Sequence, residues 1–309
     1  MTERRRIVAI LLAAGATVAA AGCACPGRMI PREQLIAAHN ANAAKVSSLW
    51  AVADVSVRFK RGSVRLTDGR LYMLKRPDDP FGSQHFMLRI KEMGTEFFRV
   101  GVDGAAGEHY YWFNPPEKYG RPAARWGRVE DLHRPGWETP PIDPTRLLAV
   151  LNVMDWVIDP GGGRVAAYTP MTDPCVYELF FTAPGARGLQ LRKVWMDRRA
   201  TPPRPEHMWL YDLWGQCVME AWLSDYEPVT GAGDPNAPAV VPTDIEVRLP
   251  GEKDIRSIRL RLSQMSVDSA DTPVKAEMFG KYIPSHILDR RELGPVRSDS
   301  PAGGQGGLP

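Results

Sequence analysis

Alternation of apolar and polar side chains with a period of two constrains the fold of this chain more than any other feature. Ile245, Val247 and Leu249 alternate with charged residues, and residues 255–262 repeat the pattern. Successive side chains of a strand point to opposite faces of a sheet, so the pattern predicts strands with one buried and one solvated face. Further strands are predicted at 54–60, 64–66, 71–75, 86–90, 96–102, 109–113, 175–182, 189–196, 207–213 and 217–223, with a turn at 67–69.

Two helices are predicted among these strands. The first covers residues 31–49, where Pro31 suits a first helical position and apolar residues recur at three- and four-residue steps. The second follows the N-cap Asp143, has Pro144 in its first turn, and carries its apolar residues at 147, 148, 151 and 154. Loops rich in Pro and Gly are expected at 114–127, 158–174, 197–206 and 226–243. We therefore expect a mainly β chain of the α+β class, with one long antiparallel sheet and two helices in one domain, residues 31–288.

The N-terminus carries an export signal, predicted over residues 1–22. Three arginines, Arg4 to Arg6, precede an apolar stretch at 7–21 that is shorter than the roughly 20 residues needed to span a bilayer. Residues 20–23 (AAGC) resemble a bacterial lipobox, in which the sulfur of Cys23 receives a diacylglycerol. This predicts a protein held by its acyl anchor on the outer membrane of the bacterial envelope, facing the periplasm. A secreted protein cut after Ala21 is the alternative.

The two ends of the mature chain are predicted to lie outside the domain. Residues 23–30 form a linker from the acylated cysteine. Residues 289–309 form a tail that is rich in Gly, Pro and Ser from Pro295 onward and is expected to be disordered.

Four cysteines are too few for a disulfide-dense scaffold or a Cys-rich zinc domain. Cys175 and Cys217 both fall in strand-like segments, and an oxidising periplasm permits a disulfide between them. Two buried free thiols are the alternative.

No set of residues points to catalysis. The six histidines are scattered, no G-x-S-x-G elbow is present, and the glycines at 161–163 precede a strand-like segment where a phosphate loop needs a helix. The net charge of +3 includes the basic signal, so the rest of the chain lacks the electrostatic footprint of a nucleic-acid-binding protein. We expect no enzyme activity, no metal, no cofactor and no nucleic-acid partner.

Three predicted strands are apolar on both faces, at 110–113, 177–181 and 208–214. A half-buried strand needs only one apolar face. Either helices and loops cover the second face, or the inner face lines a cavity for an apolar ligand while outer aromatic residues support loops or a partner.

Several segments resemble the LolA/LolB lipoprotein-carrier superfamily. The lipobox is followed by VSSLW at 46–50, a strand pair at 52–66 and GRLYMLKRP at 69–77. Later segments, 208–215, 220–226 and 242–250 continuing to Phe279, resemble a planctomycete-type lipoprotein branch of that superfamily, and the resemblance covers residues 31–285. It implies a curved, unclosed antiparallel β-barrel with helices as a lid, whose concave face holds acyl chains.

The resemblance assigns few residues directly. Carriers of this kind use a buried arginine on an early strand, but Arg58 and Arg65 alternate to the solvated side, so neither is assigned that role. Receptors of this kind project a loop with an exposed apolar residue after the third strand, where Phe81 stands here. Alternation places the following residues on the concave face or, for the last two, on a lid helix: Val55, Val57, Phe59, Leu88, Ile90, Phe98, Leu179, Phe181, Leu260, Leu262, Leu147 and Leu151.

These observations predict a lipid-anchored protein that binds an acyl chain or similar lipophile and takes part in lipid or lipoprotein transfer or localisation. The alternative is a non-catalytic envelope lipoprotein with a packed barrel, which docks a protein partner through Trp126, Trp137 or the 226–243 loop.

Overall fold

A computed structural model of the protein describes Cys25 and residues 28–295, apart from 61, 77–83, 93–94, 115–120, 133, 135–136, 139, 141, 157–164, 186–187, 213, 232–235, 252–254 and 268–273. The helices are α1 (Arg32–Ala43) and α2 (Pro144–Val150), with short 3-10 turns at Val129–Asp131 and Ala276–Phe279. The strands are β1 (Ser48–Phe59), β2 (Gly62–Leu74), β3 (His85–Glu92), β4 (Thr95–Asp103), β5 (Glu108–Phe113), β6 (Ala123–Arg128), β7 (Val165–Pro170), β8 (Val176–Gly185), β9 (Gly188–Asp197), β10 (Arg204–Tyr211), β11 (Cys217–Gly231), β12 (Ala239–Arg248), β13 (Ile255–Val267) and β14 (Asp289–Glu292).

All the described strands belong to one 14-stranded sheet. Its order is β14-β6-β5-β4-β3-β2-β1-β13-β12-β11-β10-β9-β8-β7, so β14 and β7 stand at the two edges and do not pair with each other. Neighbours are antiparallel except for β14 with β6, and a short additional pairing of β11 with β13 is parallel. The prediction of a mainly β chain with one unclosed antiparallel sheet is therefore confirmed.

The sheet curves around α2. This helix contacts β3, β4 and β5 on one side and also β11, which lies well away from them in the strand order. Strands so distant in a sheet reach the same short helix only if the sheet bends around it. Helix α1 lies against β12. No helix in the described residues is long and apolar enough to cross a membrane.

Two local predictions need correction. The first helix ends at Ala43 rather than residue 49, because Ser48 already pairs with Leu74 at the start of β1. The turn expected at 67–69 is an irregularity within the continuous strand β2, where Asp68 has a φ of 61°. A Cβ at Gly69 would lie 2.4 Å from the carbonyl oxygen of Ala53, so this close strand approach requires glycine.

Two strands, β6 and β14, lie in segments that were expected to be loop or tail, and β7 lies at the strand-like residues that follow the glycines at 161–163, within the expected loop 158–174. The expected tail boundary at 289 is too early, because Asp289–Glu292 pairs with β6 and Asp289 forms an ion pair with Arg125 at 2.8 Å. All four residues of β14 are charged and exposed, so its sequence carries no alternation. The expected loop at 226–243 is largely strand, since β11 continues to Gly231 and β12 begins at Ala239. Residues 296–309 lie outside the described residues.

Cys175 is joined to Cys25, with Cα atoms 5.5 Å apart, and Cys217 is a free thiol. The possible pair of Cys175 with Cys217 is therefore wrong, and so is the alternative of two free thiols, since only Cys217 is free. Cys175 directly precedes β8, whereas Cys217 begins β11, three strands away in the sheet. At about 4.8 Å per strand, this separation of roughly 14 Å is twice the reach of a disulfide.

Candidate functional site

The inner face of the sheet is one continuous apolar cluster. Every residue predicted to line it belongs to this cluster, and none is more than 9% exposed. The structure thus brings together Val55, Val57, Phe59, Leu88, Ile90, Phe98, Leu179, Phe181, Leu260 and Leu262 from the sheet, with Leu147 and Leu151 from the α2 region. Their burial follows from register: Val55, for example, pairs with Leu260 across β1 and β13. That these residues bind a ligand stays a prediction.

Helix α2 closes the concave side. Its N-cap is Asp143, whose Oδ1 accepts hydrogen bonds from the backbone nitrogens of Thr145 at 2.8 Å and Arg146 at 3.4 Å. Pro144 follows at the first helical position, where a missing N–H costs nothing. This start was predicted from the sequence and directs the apolar residues of the helix at the sheet. Leu147 and Leu151 are no more than 1% exposed, so side chains fill the space between lid and sheet.

Helix α1 covers another part of the inner face through His39. The Nε2 atom of His39 lies 2.9 Å from the carbonyl oxygen of Met154, and its ring stacks on Trp156 with centroids 3.8 Å apart. Trp156 in turn contacts Phe181 of the inner face, with ring centroids 5.3 Å apart. Burial lowers the pKa of His39 to about 4, so the imidazole is neutral at pH 7.

Two asparagines hold the rest of α1 in place. Asn40 accepts a hydrogen bond from the backbone nitrogen of Trp156 at 2.8 Å and donates to its carbonyl at 3.1 Å. Asn42 makes the same pair of bonds to Val240, both at 2.8 Å. A side-chain amide that replaces a strand partner in this way fixes a helix in one position against the sheet.

Cys25 and residues 28–30 precede α1, and we call these residues the strap. It is tied to β7 and β8 by the disulfide to Cys175, by the Ile30 amide, which donates to the Tyr177 hydroxyl at 3.0 Å, and by the Tyr168 hydroxyl, which donates to the Ile30 carbonyl. The segment expected to be a linker is therefore bound to the sheet where the structure describes it.

Arg192 of β9 lies on the inner face, as the burial of its strand neighbours shows. On β9 the inward positions are 192, 194 and 196, because Val194 and Met196 are fully buried in the inner cluster. Arg192 pairs in register with Phe181 of β8 and Leu210 of β10, both of them inward residues. Burial lowers the pKa of its guanidinium to about 10, which leaves it charged at neutral pH. The sequence analysis predicted this strand but did not separate its two faces.

Arg58 and Arg65 are exposed, as alternation predicted. Phe81 and Cys23 lie outside the described residues, so neither the loop nor the acylation site is located. In the part of the chain that the structure describes, no group of three or more His, Cys, Asp or Glu side chains is arranged to hold a metal ion.

The outer face over β3 to β6 is covered by the C-terminal residues. Phe279 packs on Tyr72 and Met87, while Ile287 packs on Trp112 and Ala124. This explains one of the strands that is apolar on both faces: at 110–113, alternate side chains enter the inner cluster or lie under the C-terminal residues. Tyr110 also needs Gly101 beside it, because a Cβ there would lie 2.5 Å from its hydroxyl oxygen.

The outer face over β8 to β12 carries a second group of aromatic residues, which we call the aromatic ladder: Trp195, His207, Trp209 and Trp222. His207 stacks between Trp209 at 3.6 Å and Trp222 at 4.5 Å, measured between ring centroids. These rings remain partly exposed. Two of the indole nitrogens donate to carboxylates, Trp195 Nε1 to Glu178 at 2.7 Å and Trp209 Nε1 to Glu220 at 3.1 Å.

Comparison with known proteins gives a likeness of structure only. No protein-family model and no curated protein sequence matches the chain. A DUF1329 family protein from Desulfovibrio piger is similar with a TM-score of 0.50 at 12% identity, covering 80% of this chain and 95% of that one. This likeness shows a shared fold, and the unclosed sheet itself confirms the fold that the sequence resemblance implied.

Two further solved structures are similar at lower scores. One is described as an outer membrane lipoprotein-sorting protein domain from Vibrio parahaemolyticus, with a TM-score of 0.46, 11% identity and coverage of 80% of this chain and 96% of that one. The other is a LolA superfamily protein from Nitrosomonas europaea, with a TM-score of 0.45, 12% identity and coverage of 80% and 97%.

Proposed function

We propose that this protein is a lipid-anchored envelope protein that binds an acyl chain or similar lipophile against the inner face of its sheet, without chemistry, in lipid or lipoprotein transfer. The observation that carries the proposal is the continuous apolar inner face, which collects residues from across the sheet under a short helix. A lipophile can be buried against a surface of this kind, and the surface presents it with no convergent set of reactive groups.

An acyl chain enters by displacing helix α2, which acts as the lid over the inner face. The inner residues are covered by α2 and by one another, so an acyl chain reaches them when the apolar side of α2, with Leu147 and Leu151, moves outward. The acyl chain then makes the apolar contacts that helix α2 made before it moved. Each buried CH₂ contributes about 0.8 kcal/mol, from which the cost of displacing the helix and ordering the ligand is subtracted.

The anchor is proposed at Cys23, with the protein on the outer membrane facing the periplasm. The strap supports this arrangement, because Cys25 follows the acylated position by two residues and is bonded to the sheet at Cys175. A disulfide also fits an oxidising compartment. The acyl chains would therefore hold the domain close to the bilayer, from which a lipophile is taken or to which it is delivered.

A packed barrel that docks a protein partner is the second candidate. It is favoured by the small exposure of the inner residues, of which Leu88, Ile90 and Leu179 are at 0%. In that case Trp126, on β6 under the Lys281 ammonium, or Trp137, bridged to Pro295, would contribute to the partner surface together with the segment 226–243 between β11 and β12. This candidate predicts no bound lipid at all.

Native mass spectrometry separates the two candidates. The mature chain from residue 23, carrying C23S and exported behind a cleavable signal, retains Cys25 and so its disulfide. A stoichiometric lipid adduct that is lost on denaturation supports the carrier. A bare mass, with no uptake of added fatty acid or lipopeptide, rejects it in favour of the packed barrel.

Charged replacements on the inner face then locate the site. F59D and F181D are expected to abolish binding, because an uncompensated carboxylate on the inner face costs several kcal/mol. Phe59 ends its strand and is the most exposed of the lining residues, so its variant is the easier one to fold. R58D and F180D are matched controls, since each changes the neighbouring outward residue. Unchanged lipid binding by folded F59D would reject this lining.

A further inference from the structure

Trp214 is the most exposed tryptophan that the structure describes, at 70%. It stands in the turn between β10 and β11, and hydrogen bonds hold this turn in one conformation. The Asp212 carboxylate accepts from the backbone nitrogens of Trp214 at 2.9 Å and Gln216 at 2.8 Å. Gly215 supplies the positive φ of 78° that closes the turn. An ordered turn thus holds an indole ring in solvent, although burial of its apolar area would be favourable.

The aromatic ladder continues this surface along the outer face of the sheet. Trp209 lies on β10, the strand that leads into the turn, and Trp222 lies on β11, the strand that leaves it. Trp195 lies on β9 and pairs with Glu178, which is three residues after Cys175. The ladder therefore occupies the outer face between the turn at one end of these strands and the disulfide at the other.

The charged groups around the ladder are paired with one another. The Lys193 ammonium lies 2.8 Å from the Glu178 carboxylate, and the Arg248 guanidinium lies 3.6 Å from that of Glu246. The Glu220 carboxylate is bonded to two rings of the ladder. Aromatic rings flanked by such charges suit the interface of a bilayer, where the rings reach the acyl boundary while the polar groups stay hydrated.

The proposed anchor places a bilayer at one end of this face. Cys23 precedes Cys25 by two residues, so at most about 7 Å of extended chain separates their Cα atoms. Cys25 is held beside the start of β8 by its disulfide to Cys175, and the strap also carries Met29, which is 59% exposed. The other aromatic region of the outer face, over β3 to β6, is covered by the C-terminal residues. The ladder is therefore the exposed aromatic surface that continues from the anchored end.

We infer that the protein lies on a phospholipid bilayer with the outer face of β9 to β11 toward the lipid, so that Trp214 and the aromatic ladder sit among the head groups. The inference rests on the anchor of the proposed function and adds a second contact with the same membrane. The two contacts stand at opposite ends of the strands, roughly 30 Å apart. A domain held at both ends cannot swing on its anchor, so its inner face keeps one orientation toward the lipid.

Vesicle flotation tests the surface without the anchor. The exported C23S mature chain is mixed with vesicles of phosphatidylcholine, alone or with added phosphatidylglycerol. We expect binding to both compositions with little dependence on salt, because the charges around the ladder are paired. W214S should bind about tenfold more weakly, since it loses the burial of one large apolar side chain.

A matched control and a charge test accompany W214S. Y282S should bind like the parent, because Tyr282 is also exposed, at 54%, but packs on Arg99 of β4, far from the ladder in the strand order. Binding that requires phosphatidylglycerol and is lost at high salt would overturn the inference. Such binding would assign the contact to exposed cations such as Arg58 and Arg256.

A fluorescent label reports which side of the molecule meets the lipid. In the C23S chain with C217S added, an environment-sensitive label is attached at Q216C, in the exposed turn, or at S285C, among the exposed C-terminal residues. We expect phosphatidylcholine vesicles to shift the emission of the Q216C label to the blue and to leave that of the S285C label unchanged. Equal shifts, or a shift at S285C alone, would reject the orientation.

The possible results separate this inference from the proposed function. If the C23S chain does not float with vesicles, the inference is overturned in favour of a protein partner on this face, while native mass spectrometry still decides whether a lipophile is bound. If W214S floats as the parent does, the role of the turn is overturned. If Cys23 of the intact protein carries no diacylglycerol but C23S binding depends on Trp214, the anchor fails and the lipid-facing surface stands.

Discussion

Strands β3 to β6 and strands β8 to β12 both carry large aromatic side chains on the outer face of the sheet, and the two regions treat them differently. The first region lies under the C-terminal residues, and Tyr110 and Trp112 are both at 0% exposure. The second region keeps its aromatic ladder partly exposed. Similar numbers of aromatic side chains are thus buried as a second core in one region and left at the surface in the other.

The polar atoms of the rings show what the difference means. In the first region, the Tyr110 hydroxyl and the Trp112 Nε1 are buried without a hydrogen-bond partner in the described structure. In the ladder, the Nε1 atoms of Trp195 and Trp209 each donate to a carboxylate. The covered region is therefore held by apolar burial, which offsets the lost hydrogen bonds, while the exposed region is held by pairing between rings and charges.

Removal of the C-terminal residues that cover β3 to β6, which we call the cover, is expected to have the largest effect on stability. A chain that ends at residue 273 loses Phe279 and Ile287 and so exposes Met87 and Trp112. The lost burial, on the order of 5 kcal/mol or more, is comparable to the whole stability of a domain. We expect this chain to aggregate or to unfold without cooperativity in circular dichroism melts. A chain that ends at residue 295 keeps the cover and is the control; equal melting of the two chains would show that the cover adds no stability.

Loss of the disulfide is expected to come next, and it affects the other region. C25S frees the strap from β8 and opens a loop with a sequence separation of 150 residues. Loss of such a cross-link costs about 2–4 kcal/mol. The melting temperature should fall in C25S, and a reductant should lower it in the parent protein but not in C25S. C217S removes the free thiol and should melt at the same temperature as the parent. If C217S lowered the melting temperature as much as C25S does, the disulfide between Cys25 and Cys175 would not explain the loss.

Acid is expected to weaken the contact of α1 with the inner face. His39 has a pKa of about 4 in the folded protein, below its ordinary value of 6.5, so the unfolded chain binds the proton more readily. Its contribution is complete above pH 6.5 and is lost as the pH falls toward 4, by about 3 kcal/mol in total. The free energy of unfolding, measured with urea at several pH values, should show this slope in the parent and lack it in H39Q. The same slope in both would assign it to other groups.

Single cations of the ladder are expected to matter least. The Arg248 guanidinium lies 4.2 Å from the centroid of the Trp222 ring, and the Lys193 ammonium lies 4.9 Å from that of Trp209. Exposed pairs of this kind contribute about 0.5–1 kcal/mol, so R248A should shift urea unfolding by no more than this. K193A also breaks the ion pair of Lys193 with Glu178 at 2.8 Å and should cost slightly more. R256A changes an exposed arginine on β13 and serves as the control. A loss above about 2 kcal/mol would contradict the comparison, because it would place the ladder among the core contacts.

Periodic strands and capped helices were predictable because their signals are local. Alternation placed Val55, Val57 and Phe59 on the buried face, and the Asp143–Pro144 pair marked the start of α2. These signals depend on the period of the backbone and on the orphan amides of a helix start, which a sequence displays directly.

Features that depend on distant pairing were not predictable in the same way. β14 consists of charged residues and is a strand only because β6 offers its backbone. Cys25 lies in a segment without periodicity, so only the fold shows that it meets Cys175. Arg192 was within reach, since Val194 and Met196 share its face, but the opposite face carries Leu191 and Trp195 and the two looked equally apolar.

The unclosed sheet leaves two edge strands whose backbone groups are free to pair with another chain. Such edges invite polymerisation between copies of the chain. One edge here is β14, whose four exposed residues are all charged, and the other is β7, which is short, ends at Pro170 and has Tyr168 engaged by the strap. Charged side chains, proline and short length are features that prevent edge strands from pairing edge to edge with another sheet. Neighbouring molecules can therefore remain separate although the sheet is not closed.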